Sequence, residues 1–430
     1  MAETMKERKD MDPQYMWDLS TLFKNDEEWN NALPELDEMI KKLPEYQGKL
    51  NNAKTIREFF DFDTHLGRKL SDFYCYASLR NCEDTRDSDA QAMEAKAYQV
   101  YTAYATAISF AEPEILSLDE EVLESIVHSD DLKPYAFNMQ KLLDQKPHVL
   151  SAKEEALLAA FTETLGAPSK ISESLQDADM TFESVTDSNG EVHELNQSNY
   201  ILLQMSEDRT LRLNAFKSFY KGFKQHINTF AATYNGCIKE AVAEAQVRHY
   251  ESSRAMSMAY EHVPGVVYDS LVDTVRKFMP EMYRYVRLRK QMLGLDELHY
   301  YDVYTPLVAG SSKSYTYEEA QQMVLDAVTP LGKDYVNRVK QAYKDRWIDV
   351  YPNNGKRGGA FSSGTYDSNP YILTSFTGTL DSVSTIAHEM GHSQHTWLSN
   401  HTQTPQNADY TLFVAEVAST VNENLLVEQL

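Results

Sequence analysis

Apolar residues recur at three- and four-residue spacings along most of the chain, and that period commits it to helices before any other property is weighed. In EAKAYQVYTAYATAISF (94–110), Ala97, Tyr101, Tyr104 and Ile108 draw one apolar stripe along a helix. SLVDTVRKFMPEMYRYVRLRKQML (270–293) and YVNRVKQAYKDRWI (335–348) repeat the pattern. The tyrosine stripe reads as core and inter-helix packing. The expected fold class is mainly α.

Two stretches break the period. MTFESVTDSNGEVHEL (180–195) alternates Phe182 and Val185, then Val192 and Leu195, around an Asp-Ser-Asn-Gly turn, which predicts a β-hairpin. It suggests a division into a helical N-terminal domain, 1–195, and a second domain, 196–430. In YPNNGKRGGAFSSGTYDSNPYILTSFTG (351–378), four glycines mark turns and Tyr371 to Phe376 is β-prone. A short strand or hairpin here leads directly into a histidine-rich helix. GKRGGAFSSG lacks the Gly-Lys-Ser/Thr ending of a nucleotide loop and has no βαβ setting. Two readings stay open for it: plain turns, or an edge strand offering backbone groups to an extended peptide.

Function classes narrow on charge. With 41 Lys+Arg against 65 Asp+Glu, the net charge of −24 repels phosphate backbones and anionic lipid, which argues against nucleic-acid and membrane roles. Such a field attracts cations and basic peptides. The three cysteines, Cys75, Cys82 and Cys237, have no ligand-pair spacing and suit a reducing compartment. MAETMKERKDMDPQY lacks the apolar core of a signal peptide, and no run approaches bilayer length. A cytoplasmic protein is the expectation.

The chemistry concentrates in TIAHEMGHSQHTW (385–397). His388-Glu389-Met390-Gly391-His392 fits H-E-x-x-H. Residues four apart share a helical face, roughly 6 Å apart at Cβ, so both imidazoles can reach one ion. Glu389 is turned away from that pair, poorly placed to ligate and well placed to touch a water on the same metal. The bland alternative is a half-exposed helix with two satisfied histidines. A hydrolytic zinc site needs a third protein ligand and an open fourth position. His395 rises away from the point where the other two converge, and His401 lies in a polar stretch. The extended pattern with a third histidine would need glycine at 395 and histidine at 398, where the chain has His395 and Leu398.

Glu416, in YTLFVAEVASTVNENLL, is the better third ligand. It interrupts the apolar run Leu412 to Val417, beside a stripe of Phe413, Val417 and Val421 expected to be buried. A carboxylate there is costly to desolvate without a cation. Glu423 lies seven residues on, either holding an imidazole N–H or solvated.

LDSVSTIAHEMGHSQHTW followed by FVAEVASTVNE resembles the active-site helices of thimet-oligopeptidase-like zinc metallopeptidases, and within that family the oligoendopeptidase F branch. YDVYTPL (301–307) and GGAFSSG with PYILTSFTG add to the likeness, which is good from about residue 200 onward. The resemblance implies a largely helical, zincin-like peptidase in two parts, with a deep substrate channel and a small sheet beside the zinc helix. It implies one Zn2+ per chain on His388, His392 and Glu416, Glu389 as the catalytic carboxylate, short oligopeptides as substrates, and Gly359–Phe361 as the edge aligning them. On this likeness 196–430 is a catalytic domain lacking its C-terminal part, and the chain is C-terminally shortened, ending within a helix at Leu430. A metal-holding, peptide-binding but non-catalytic module is the alternative.

Overall fold

The computed structural model describes residues 6–197, 199–307 and 313–430. It is mostly helical with a few short strands, as the period predicts. The chain forms two compact units, one of Met1–Ala152 with Lys313–Leu430 and one of Lys153–Ser312.

In the first unit the chain opens with helices α1 (Asp26–Ile40), α2 (Ala53–Glu83) and α3 (Ser88–Ile108). The Asn52 side chain accepts the Thr55 amide and starts α2, whose Ile56, Phe59, Leu66, Leu70 and Phe73 form a buried stripe. On α3 Ala97 is buried and Tyr104 and Ile108 pack on the core, but Tyr101 is 52% exposed. The expected stripe is therefore narrower than the period implied, because only one side of α3 meets α2.

The second unit carries the predicted hairpin, β1 (Val185–Thr186) antiparallel to β2 (Val192–His193). It also holds α4 (Arg209–Gln225) and α5 (Gly265–Met292). Val185 and Leu195 bury against Leu211 and Ala215 of α4. That packing keeps the hairpin with the helices that follow it, so the contacts divide the chain at 152/153 and 312/313 rather than at 195/196.

The chain then returns to the first unit through α6 (Tyr317–Ala327), α7 (Lys333–Lys344), β3 (Ile348–Asp349), β4 (Phe361–Ser363), β5 (Tyr371–Leu373), α8 (Leu380–Thr402) and α9 (Leu412–Gln429). The sheet order is β3-β5-β4, with β3 parallel and β4 antiparallel to β5. Tyr371, Ile372 and Leu373 of the central strand are fully buried, since Tyr371 and Leu373 join the α1–α3 core and Ile372 joins the core of α6 to α9.

Ion pairs reach this sheet from far along the chain. Buried Asp349 accepts two hydrogen bonds from Arg8, at 2.9 and 2.6 Å, and pairs with the buried Lys356 ammonium at 2.7 Å. Arg8 also meets Glu83 at 3.0 Å, and Glu83 accepts the Trp17 indole N–H. Burial lowers the Lys356 pKa, because a desolvated ammonium gives up its proton more readily.

Asp349→Ala would leave two cations without their shared anion, at a cost of about 3–5 kcal/mol. The expected result is a melting temperature lower by roughly 10 °C. An unchanged melting curve would show that the pairs contribute nothing to the sheet's attachment.

Candidate metal centre

Thr379 caps α8, its side chain accepting the Ser382 amide. Val383, Ile386, Ala387 and Met390 then bury one face of the helix against the core of α6 and α7 and the sheet. His388 and His392 stand on the neighbouring, half-buried face, one turn apart. Helix α9 turns Ser419, Asn422 and Leu426 inward.

The two helices meet with almost no side chain between them. A Cβ on Gly391 would stand 2.7 Å from both the Ala418 carbonyl oxygen and the Ser419 Cα. Asn422 donates from Nδ2 to the Ala387 carbonyl at 3.0 Å and accepts the Tyr335 hydroxyl at 3.0 Å. These contacts fix the register of α9 and carry Glu416 to the imidazoles.

His388 Nε2 and His392 Nε2 lie 3.1 Å apart, and Glu416 Oε2 is 3.4 Å from the first and 3.5 Å from the second. Zinc bonds of ~2.0–2.1 Å in tetrahedral array put neighbouring donors ~3.3–3.4 Å apart. The three atoms therefore have the spacing and the chemistry, two imidazoles and a carboxylate, of a zinc ligand set. Glu423 Oε1 lies 2.9 Å from His388 Nδ1. A carboxylate only accepts, so Nδ1 donates the hydrogen, which in the neutral ring leaves Nε2 as the acceptor facing the trio. That pairing favours the orienting reading of Glu423 over the solvated one.

Glu416 is not buried: its side chain is 57% exposed. The expected stripe beside it is exposed too, with Phe413 and Val417 at 58% each and Val421 at 42%. The inward face of α9 is the small, polar one because Gly391 admits only a thin partner. The desolvation argument for Glu416 thus fails, and its place rests on proximity alone.

Glu389 is the buried acid, 6% exposed, and its Oε2 has no hydrogen-bond partner among the described residues. Burial, outweighing the nearby His388, pushes its pKa up to about 7. Burial also lowers the pKa of His392, favouring the neutral, ligating form. His395 stays outside the trio, stacked on Tyr410 at 3.8 Å, and His401 stacks on Trp397 at 3.7 Å.

Asp187, Glu191 and His193 also gather their ligand atoms, on the β1–β2 hairpin. There Asp187 accepts the Asn189 and Glu191 amides, which close the turn, and faces the His193 ring at 3.5 Å.

Gly391, Asn422 and Ser419 escaped the sequence reading. Their signal was a run of small or polar residues inside two helices, which only the pairing of those helices makes meaningful.

The profile of peptidase family M3 matches residues 202–430, and that of oligopeptidase F matches 114–182. Oligopeptidase PepF of Bacillus subtilis is 40% identical over 100% of this chain, which spans 64% of that protein's length. Group B oligopeptidase PepB of Streptococcus agalactiae is 39% identical over 98% of this chain and 70% of its own. Among solved structures, oligoendopeptidase-F from Enterococcus faecium superposes with a TM-score of 0.67 at 33% identity, over 94% of this chain and 67% of its own. A Chlamydophila abortus protein, also 33% identical, reaches 0.82 over 99% of this chain and 72% of its own.

Ala is ordinarily the better helix former by about 1 kcal/mol. Here Gly391→Ala would drive a methyl into the backbone of α9 and move Glu416 off the imidazoles. The expected outcome is zinc affinity at least tenfold weaker with helical circular dichroism preserved. Wild-type affinity in a chelator competition titration would show that the close approach does not set the trio.

Proposed function

Because this chain belongs to peptidase family M3, we propose that it is a zinc metalloendopeptidase that cleaves short oligopeptides, with a glutamate as general base. The observation carrying this reading is the convergence of the His388, His392 and Glu416 donor atoms on α8 and α9, with α8 also carrying the buried Glu389, whose Oε2 has no partner among the described residues. The relatives are an oligopeptidase and an oligoendopeptidase by name, which supports the substrate class.

His388, His392 and Glu416 would hold one Zn2+ per chain, three protein ligands with a fourth position open to substrate. A zinc ion supplies Lewis-acid polarisation of a carbonyl and lowers the pKa of a water toward ~7. Glu423 holds the His388 ring in the orientation and tautomer that ligation requires. Glu389 takes the proton of the attacking water and returns it to the leaving amine. A carboxyl whose burial raises its proton affinity is suited to both halves of that transfer near neutral pH.

The substrate backbone would lie along Gly359–Phe361 and β4. That strand is the edge of its sheet, and Gly359, at φ +83° with open space where a Cβ would stand, gives a second backbone room to approach. All three cysteines are free thiols, and no helix of the described residues is long and apolar enough to cross a membrane. We assign the reaction to the cytoplasm.

Glu389→Gln should retain one zinc per chain and lose about 10²-fold or more in kcat. Turnover at the wild-type rate would refute the base assignment. Metal analysis with a chelator-sensitive cleavage assay tests the rest. A zinc-loaded chain that binds peptides without cutting them would make this a peptide-binding module, and a chain without stoichiometric metal would end the zinc reading.

A further inference from the structure

The hydroxyls of Ser362 on β4 and Ser393 on α8 are hydrogen-bonded at 2.8 Å, one residue beyond His392. Ser393 is completely buried, so its hydroxyl depends on a protein partner. The neighbours of Ser362 on the strand point to the opposite face. Phe361 packs on the α1–α3 core, and Ser363, two residues on, shares its side of the strand by the alternation of side chains. Of the three strand residues, Ser362 alone carries a side-chain hydrogen bond to the helix bearing the imidazoles. The ladder to β5 holds one long side of β4, and among the described residues no strand pairs with the other.

We propose that the Ser362–Ser393 pair is a positioning clamp: it sets where β4 lies relative to the His388–His392 pair, and therefore which bond of a peptide added to β4 is cut. The inference rests on the peptidase reading above. A strand advances ~3.3 Å per residue, so a slip of half a residue along β4 displaces a carbonyl by ~1.7 Å. Reacting atoms must stand ~3–3.5 Å apart, and a displacement of ~1 Å costs up to ~10²-fold in rate. A three-residue strand bonded on one side needs a second tie to hold that tolerance. The ladder ties it to β5, whose Ile372 shares a core with α8, and the serine pair adds a direct side-chain bond to α8.

The test is a double-mutant cycle in the zinc-loaded full chain with Ser362→Ala, Ser393→Ala, the double variant and Ser362→Thr. Zinc affinity, kcat, KM and, by mass spectrometry, the bond cleaved are measured for each. Unchanged zinc affinity is expected, with kcat/KM about tenfold lower and most of the loss in kcat. Secondary cuts one residue from the main site should appear. The double variant should match the single ones, and Ser362→Thr should restore a single cut.

Wild-type rates and cut sites in the alanine variants, losses that multiply in the double variant, or zinc loss in parallel would each overturn the clamp while leaving the peptidase reading intact. If the unmutated chain binds zinc and peptide without cleaving, the series is read as peptide dissociation constants. Weakening shared by both alanine variants and not multiplied in the double one would then keep the clamp as the hydrolase reading falls; equal affinities would end both. A chain that binds no peptide likewise ends both.

Discussion

Two helices packed backbone to backbone decide everything at the centre. The chain between 380 and 402 presents a glycine where the chain between 412 and 429 presents a carbonyl and a serine Cα, and no side chain larger than hydrogen fits. The nearness has an electrostatic consequence. Glu389, Glu416 and Glu423 are brought around two imidazoles in a chain whose net charge is −24. Acids so close oppose one another, and the apolar burial of Ile386, Met390 and Leu426 and the Asn422 hydrogen bonds hold them there. Packing, not mutual attraction, is what gathers these carboxyl groups around the two imidazoles.

The site's second requirement is a sheet that keeps its place with only three short strands. Its strands of two and three residues are shorter than usual, and it is tied by groups remote in sequence. Arg8 reaches Asp349, Thr21 bonds the Tyr371 hydroxyl at 2.6 Å, and Asp72 of α2 accepts the Thr365 hydroxyl at 2.5 Å. The first unit is therefore a structural whole: its amino-terminal segment and long helices hold the strands that lead into the helix carrying His388 and His392.

Much of the fold and part of the site were legible in the residues themselves. Helical periods located the long helices, and the Asp-Ser-Asn-Gly turn located the hairpin, because both are local patterns with their own geometric consequences. The four-residue spacing of His388 and His392 placed them on one face for the same reason. Glu416 was reached through an expected burial that the structure does not uphold, and the acid that is buried is Glu389. Periodicity states which residues can share a face; it does not state which face the neighbouring helix covers. Tyr101, Phe413 and Val417 were misjudged on that account.

The sequence by itself determined the helical class, the interruptions that become strands, and the pairing of two imidazoles, because each follows from the geometry of a few consecutive residues. Only the tertiary structure decided that Glu416 and Glu423 converge on those imidazoles, that Glu389 is buried with its Oε2 unpartnered among the described residues, and that β4 is an edge strand bonded to the same helix. Those facts depend on the distance between segments tens to hundreds of residues apart. Interdigitation of side chains sets such distances, and at Gly391 it is the absence of a side chain that does so.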